Sequence, residues 1–241
     1  MELVVRSPAV LRSPPRAELV PRPGGGRRRL TALGPADAAT YRMLVERVAP
    51  AVERSLGPAV AANRVVPPRA PLDGGRLEDR WLEDWRVARG RWRRALATPP
   101  GRGLRLHVDV ADCYGSIRPE VVAETLGLLG SEPDRRLIRL LHELAEHAAG
   151  LPVGPEASAV LANAVLGRLD LAIADAGVPH VRWVDDLVIT VRSRRHATRI
   201  LDEARRGLGS LGLRVQDAKT RVTDARAIPS GAPSSVAVRV R

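Results

Sequence analysis

The pattern of apolar and polar residues divides the chain into short β-like runs and longer amphipathic segments. Short apolar or alternating runs predict strands at 104–110, 180–191 and 213–216. A spacing of three to four between apolar residues predicts helices at 35–56, 76–97, 119–129, 133–149, 155–176 and 195–211. From residue 104 onward the order is β-α-β-β-α-β, which predicts one sheet with the first strand beside the hairpin.

The run from His180 to Val191 predicts a β-hairpin with two aspartates at its tip. Apolar residues flank Asp185 and Asp186 on both sides. Adjacent carboxylates repel each other unless a cation lies between them, so the pair is a candidate metal site. An ordinary turn is the alternative, because Asp is common in turns. A second acidic pair, Asp109 and Asp112, ends the strand that begins at residue 104, and strand pairing would bring it to the hairpin.

Charge and composition favour a nucleic-acid partner. The chain has 39 Lys plus Arg against 27 Asp plus Glu, a net charge of +12. Its basic flanks enclose a slightly acidic centre. This pattern suits a site where positive surfaces bind a phosphate backbone and central acids bind a metal ion. Lys219 is the only lysine, which suggests chemistry that arginine cannot perform, since an ammonium group gives up its proton more readily. Chance is the alternative.

The single cysteine, Cys113, excludes an internal disulfide and favours a reducing compartment. No uninterrupted apolar run has the length of a membrane span, and the Arg- and Pro-rich start lacks the apolar core of a signal peptide. We therefore expect a soluble, cytoplasmic protein without a membrane partner.

Composition predicts four parts. Residues 1–34, rich in Pro, Gly and Arg, are expected to form a mobile basic arm. A helical region at 35–103 precedes the β-α-β-β-α-β unit at 104–224, and 225–241 is expected to be a short strand or tail. In the helical region Trp81, Trp85 and Trp92 recur at helical spacing, which favours core packing over the alternative of base stacking.

Four segments, in order, resemble the palm motifs of the reverse transcriptase family. Residues 109–117 resemble the first motif, with a metal-binding Asp followed five residues later by an aromatic. Residues 150–166 resemble the second, and 183–186 the third, with Trp in place of the commoner Tyr or Phe. Residues 211–220 resemble the fourth, with its lysine. Upstream, 63–65 and the Trp-rich helix resemble the fingers of prokaryotic reverse transcriptases of the abortive-infection and defence-associated kind.

The resemblance implies an α+β fold, a polymerase palm with a helical fingers-like region, and an RNA-directed DNA polymerase. Such a nucleotidyltransferase adds dNTPs to the 3′-hydroxyl of a DNA or RNA primer on an RNA template. Two Mg²⁺ ions, or Mn²⁺ in their place, would be held by Asp109, Asp185 and Asp186. Lys219 would protonate the leaving pyrophosphate, and Tyr114 would block a ribose 2′-hydroxyl. The further implied substrate contacts are Asp112, Cys113, Gly154 and, at the triphosphate, Arg64.

Two other functions stay open from the sequence. The chain ends soon after Lys219, so we expect no complete thumb, and a partner protein that supplies one is an option. Untemplated or protein-primed DNA synthesis in phage defence is therefore the second hypothesis. The third is a non-catalytic nucleic-acid-binding subunit, against which the intact set of acids argues.

Overall fold

A computed structural model describes residues 10–21, 25–66, 81–97 and 103–224. The predicted C-terminal strand or tail at 225–241 and the first residues of the helix predicted at 76–97 lie outside these ranges.

The described part of the N-terminal segment is a β-hairpin rather than the mobile arm that composition predicted. β1 (Arg16–Pro21) pairs antiparallel with β2 (Arg27–Ala32). Leu30 is buried, and the Thr31 amide donates to the Val153 carbonyl at 2.7 Å. Few apolar residues are needed for this docking because backbone hydrogen bonds, which composition does not reveal, contribute to it.

Three helices form the region that follows. α1 (Pro35–Glu46) and α2 (Ala49–Ser55) replace the single helix predicted at 35–56. The break falls just before Pro50, which lies in the first turn of α2, where a proline has no hydrogen bond to lose. α3 (Trp85–Ala97) is shorter than the helix predicted at 76–97, because residues 81–84 are not helical and Leu82 forms an isolated β-bridge with Val65.

A four-stranded sheet lies at the centre of the remaining chain. Its strands β3 (Leu104–Asp109), β4 (His180–Trp183), β5 (Asp186–Val191) and β6 (Arg221–Asp224) follow the spatial order β4-β5-β3-β6. The prediction that the first strand lies beside the hairpin is confirmed. The strand predicted at 213–216 is wrong: this segment makes one isolated bridge, from Val215 to Val110, and the fourth strand follows a 3₁₀ turn at Asp217–Lys219.

Five helices connect the strands. They are α4 (Cys113–Ser116), α5 (Pro119–Leu128), α6 (Arg135–Ala148), α7 (Glu156–Asp175) and α8 (Arg194–Ser210). α7 packs against α1, α2, α5 and α8 and is the central helix of the core. By length and composition α7 is apolar enough to cross a membrane, but 72% of its apolar window is buried inside the fold. Its apolar character is thus explained by packing.

The two faces of the sheet pack into different cores. Val108 and Leu187, opposite each other on β3 and β5, belong to the main core with the helices α7 and α8. On the other face Trp183 and Val188 pack in a smaller cluster with α3, where the Trp183 and Trp92 rings meet edge to face at 6.2 Å. Since side chains alternate along a strand, the second face is also the face of Asp186.

Candidate active site

Strand register brings two of the predicted acids together. Asp109, the last residue of β3, lies directly opposite Asp186, the first residue of β5. Residues opposite each other in an antiparallel pair have Cα atoms about 4.5 to 5.5 Å apart and side chains on one face. Asp185 precedes this pair, and its carbonyl accepts a hydrogen bond from the Val110 amide at 3.3 Å. The predicted juxtaposition of Asp109 with the hairpin tip is therefore confirmed at the level of the backbone.

The turn that presents these acids has a left-handed residue. Val184 has φ 55°, an uncommon conformation for a β-branched side chain. The Arg182 guanidinium donates from Nη1 to the Val184 carbonyl at 2.9 Å and so fixes this peptide. Unfavourable backbone conformations persist where surrounding contacts define them, and they cluster at functional sites.

Arg182 is fully buried, and a polar network compensates its charge. Its Nε and Nη2 donate to the Asp170 carboxylate at distances from 2.7 to 3.0 Å, and Nη1 also donates to Asn163 Oδ1 at 2.9 Å. His180 Nε2 lies 3.2 Å from Asp170 as well. Burial opposes ionisation of Asp170, but the Arg182 charge and the hydrogen bonds from His180 and Arg182 together outweigh it and hold the pKa of Asp170 below its usual value.

Sequence reasoning missed this network. His180 and Arg182 alternate with Val181 and Trp183, a pattern that normally places the polar residues in solvent. The available signal was Asp170, a charged residue in the otherwise apolar run 169–174 of a helix, because a buried acid requires a partner. The network connects the hairpin tip to the central helix α7.

Lys219 contacts the acid cluster directly. Its ammonium group donates to Asp109 Oδ2 at 2.9 Å, while the Lys219 side chain is half exposed and Asp109 is buried. The Gln216 amide donates to the Asp109 carbonyl at 2.8 Å, which joins the 3₁₀ turn that carries Lys219 to the end of β3. The only lysine of the chain thus lies at the predicted catalytic acids.

Cys113 and Tyr114 follow the first acid on the short helix α4. Cys113 is buried, and burial and the Asp185 charge raise the pKa of its thiol, which makes it a poor nucleophile. Burial also raises the pKa of the Tyr114 phenol. Asp112, which precedes them, is exposed and has φ 42°.

A close backbone contact holds this segment. The Leu151 amide donates to the Tyr114 carbonyl at 2.9 Å, and a Cβ at Gly150 would lie 2.5 Å from the Gly115 carbonyl oxygen. Only glycine permits that approach. The second motif-like segment therefore packs on the first.

Two residues predicted as substrate contacts make structural contacts within the fold. Gly154 has φ 127° and lies beside the Thr31 backbone of β2. A Cβ atom at Gly154 would lie 3.5 Å from the Thr31 carbonyl oxygen. Arg64 pairs with Glu53 at 2.6 Å and donates to the Gly57 and Leu56 carbonyls. These contacts hold the loop after α2, and they do not bear out a triphosphate contact by Arg64.

The site fits a divalent metal ion in the backbone placement of its acids and in the chemistry of their oxygen donors. Carboxylates are the oxygen ligands that Mg²⁺ prefers, and three are adjacent at one end of the β3–β5 pair. In the observed side-chain conformations, no group of three His, Cys, Asp or Glu residues within 10–21, 25–66, 81–97 and 103–224 is arranged to bind a metal ion. Asp109 instead takes Lys219 as its counter-charge. Ligation would require the carboxylates to turn toward one another.

Comparison with solved structures shows a polymerase fold. Apo telomerase from Candida tropicalis aligns with a TM-score of 0.58 and 12% identity over 92% of this chain and 46% of that chain. A form of this telomerase truncated from its C-terminal domain aligns with a TM-score of 0.56 and 13% identity, over 91% of this chain and 52% of that chain. Its complex with a TWJ fragment of telomeric RNA has a TM-score of 0.54 at 13% identity, over 90% and 42%. The chain spans about half the length of these telomerases or less.

Sequence comparison then defines the family. The family described as "Reverse transcriptase (RNA-dependent DNA polymerase)" matches residues 71–230, more than half of the chain. The chain belongs to this family, whose members are nucleotidyltransferases that use divalent metal ions. No curated protein matches the sequence significantly.

Proposed function

We propose that the protein is an RNA-directed DNA polymerase that adds dNTPs to a primer 3′-hydroxyl by a two-metal-ion mechanism. One observation carries this proposal: Asp109 lies opposite Asp186 at the strained hairpin tip, with Lys219 bonded to Asp109. The fold brings Asp109 together with two acids and a lone lysine that lie more than 70 residues further along the sequence, which fits the chemistry of phosphoryl transfer.

Asp109, Asp185 and Asp186 are the proposed ligands for Mg²⁺ or Mn²⁺. When bound, such ions lower the pKa of an attacking hydroxyl and stabilise the charge that develops on a leaving pyrophosphate. The residues of the chain supply the fixed geometry. Strand pairing sets the separation of Asp109 from Asp186, and the Arg182 bond to the Val184 carbonyl holds the peptide before Asp185.

Lys219 is the proposed general acid for the leaving group. Its ammonium group is half exposed, so it can rotate from Asp109 toward a bound triphosphate. Proton donation by a positioned side chain typically contributes on the order of 10² to 10⁴ in rate. Lys219→Arg keeps the positive charge but removes a readily donated proton, and we expect it to lose most of this factor.

Tyr114 is the proposed sugar-selecting residue. Leu151 fixes its backbone on α4, and its partly buried ring packs against both apolar clusters, which leaves the ring little freedom to move aside. A rigid ring selects by steric clash with a 2′-hydroxyl.

An RNA template is proposed on two grounds. One structural neighbour binds a fragment of telomeric RNA, and the present chain has a net charge of +12 that suits a phosphate backbone. Arginines on the surface would contact phosphates and would not read sequence.

Primer extension tests the proposal. Purified protein with Mg²⁺, dNTPs and a primed RNA template should extend the primer, and Asp185→Asn should abolish extension. Asp202→Asn, an exposed acid on α8, is the matched control and should extend like wild type. If wild type and Asp185→Asn are equally inactive on primed RNA and DNA templates, the proposed polymerase activity is wrong.

The product sequence distinguishes the proposed templated reaction from untemplated or protein-primed synthesis of the kind predicted for phage defence. A faithful complement of the template supports RNA-directed synthesis. Random or homopolymeric DNA, or DNA attached to the protein, supports the alternative.

A further inference from the structure

Trp85 departs from the core packing predicted for the tryptophan stripe. Trp81 and Trp92 are buried, but Trp85, in the first turn of α3, is 46% exposed. A half-exposed tryptophan contributes less to the core than a buried one and presents part of a flat ring to solvent.

Two guanidinium groups accompany this ring. The Arg86 guanidinium carbon lies 5.4 Å from the Trp85 ring centroid, and that of Arg89 lies 5.9 Å away. A hydrogen bond from the Arg86 amide to Asp84 Oδ1 at 2.8 Å begins the helix and fixes the backbone that carries the ring. The three side chains thus form a preassembled set of planar groups, which we call the Trp85 platform.

The surface around the platform is strongly basic. α3 has five arginines and no acidic residue, and Arg86, Arg93 and Arg94 are exposed on it. Arg91 is different: it forms a two-pronged ion pair with Glu83 and donates to the Ala61 carbonyl, so it anchors the helix. Gly90 lies between the arginines, and a Cβ there would meet only the Arg94 side chain at 3.9 Å. A ligand can therefore approach the helix backbone closely at this point.

We infer that the Trp85 platform binds single-stranded nucleic acid by stacking an unpaired base, while Arg86, Arg89 and Arg93 contact the adjoining phosphates. Single-strand sites combine aromatic rings with a positive surface in this way. The Arg86 and Arg89 guanidinium groups lie over the ring, and since arginine planes also stack on bases, a base can stack on these planes as well as on the ring. A duplex would offer only phosphates, because its bases are already stacked. The site lies on a helix outside the sheet that carries the acids, and the inference does not depend on catalysis.

The test measures binding rather than synthesis. Fluorescence anisotropy gives the affinity of the full chain for labelled 12-nucleotide oligouridine and oligothymidine, and for an RNA duplex of equal length. All variants carry Asp185→Asn, so the result is independent of polymerase activity. Trp85→Ala should weaken binding to the single strands about 5- to 150-fold, the range for loss of one stacked base. Affinity for the duplex should stay within about twofold.

Matched variants separate stacking from general loss of structure or charge. Val87→Ala removes an exposed apolar side chain from the same turn and should bind like the parent protein. Trp85→Phe retains a ring and should recover most of the lost affinity. Arg86→Ala with Arg89→Ala should reduce the magnitude of the negative slope of log affinity against log salt by about 1 to 2, since each phosphate contact on a single strand contributes about 0.7.

Three results would overturn the inference. The first is equal single-strand affinity of Trp85→Ala and Val87→Ala, and the second is an equal loss of affinity for duplex and single strand in Trp85→Ala. The third is binding to vesicles of anionic lipid that depends on Trp85, while binding to both oligonucleotides does not. A preference for oligouridine over oligothymidine would assign the platform to RNA, and the reverse preference would assign it to DNA.

Discussion

At the scale of single residues, left-handed backbone flanks the acids on both sides. Asp112 has φ 42° and Val184 has φ 55°, and such conformations cost on the order of 1 to 3 kcal/mol each for residues other than glycine. The Val184 peptide is held by Arg182. The loop that contains Asp112 and Tyr114 is held by Leu151 and by the close approach of Gly150. These contacts make the loop and the turn rigid, which a site that selects among similar nucleotides requires.

Replacing Gly150 should damage the loop that carries Tyr114. A Cβ there would lie 2.5 Å from a backbone oxygen, so Gly150→Ala forces the two segments apart. We expect a loss of about 1 to 3 kcal/mol in the free energy of unfolding, measured by urea denaturation. Gly127→Ala in α5 is the control: its Cβ meets nothing within 4 Å, and a helical alanine should be neutral or stabilise by up to about 1 kcal/mol. Equal stability of the two variants would refute the close contact.

Removing the Tyr114 ring should relax sugar discrimination. Tyr114→Ala leaves the backbone hydrogen bond from Leu151 in place, so the change is confined to the side chain. We expect the ratio of kcat/KM for dNTP over rNTP to fall at least tenfold, measured by single-nucleotide addition. If the ratio is unchanged while extension continues, Tyr114 does not select the sugar.

At the scale of elements, the hairpin that carries Asp185 and Asp186 was predictable and its support was not. Apolar runs around Asp185 and Asp186 predicted the hairpin, and the order of elements predicted β3 as its neighbour. The Arg182 network was not predictable from strand alternation, because β4 is covered on both of its faces. The final strand was misplaced because 213–216 has the apolar pattern of a strand, yet only one bridge forms there, and the polar segment Arg221–Asp224 pairs with β3.

Breaking the Asp170–Arg182 pair should destabilise the fold strongly. Asp170→Asn leaves a fully buried guanidinium without its counter-charge, which typically costs about 3 to 5 kcal/mol. Asp170→Leu with Arg182→Met removes both charges and should cost less than the sum of the two single changes. Urea denaturation at pH 7 of wild type, Asp170→Leu, Arg182→Met and the double variant measures this coupling, and strictly additive losses would contradict it.

The same pair makes a pH-dependent contribution. Because the folded state holds the pKa of Asp170 below its unfolded value, the stabilisation is complete above the ordinary Asp pKa of about 4. It is lost as the pH falls through the lower, folded value. The difference in stability between wild type and Asp170→Asn should therefore narrow only under acidic conditions.

At the scale of the whole molecule, the N-terminal hairpin belongs to the folded structure. Glu143 on α6 accepts hydrogen bonds from the Val10 and Leu11 amides, and Asp37 on α1 accepts them from Arg12 and Ser13. Composition predicted a mobile arm here because the segment is rich in Pro, Gly and Arg. These backbone donors carry no sequence signal, so the docking could not be foreseen.

Trypsin tests the docking of this hairpin, since Arg27, Arg28 and Arg29 are natural cleavage sites. Thr31→Pro removes the amide that donates to Val153, whereas Thr31→Val retains it. We expect Thr31→Pro to be cut at these arginines several-fold faster than wild type, as followed by mass spectrometry, and Thr31→Val to match wild type. Equal cleavage of all three proteins would show that the hydrogen bond does not hold the hairpin.

The central claim is that acids from β3 and from the hairpin act as one catalytic unit. The most direct measurement is the rate constant for adding one dNTP to a primed RNA template by Asp109→Asn, Asp186→Asn and the double variant. Residues that act as a unit are strongly non-additive. Each single variant should fall to the background rate, and the double variant should be no slower than either. Substantial activity in either single variant, with a further multiplicative loss in the double, would contradict the account.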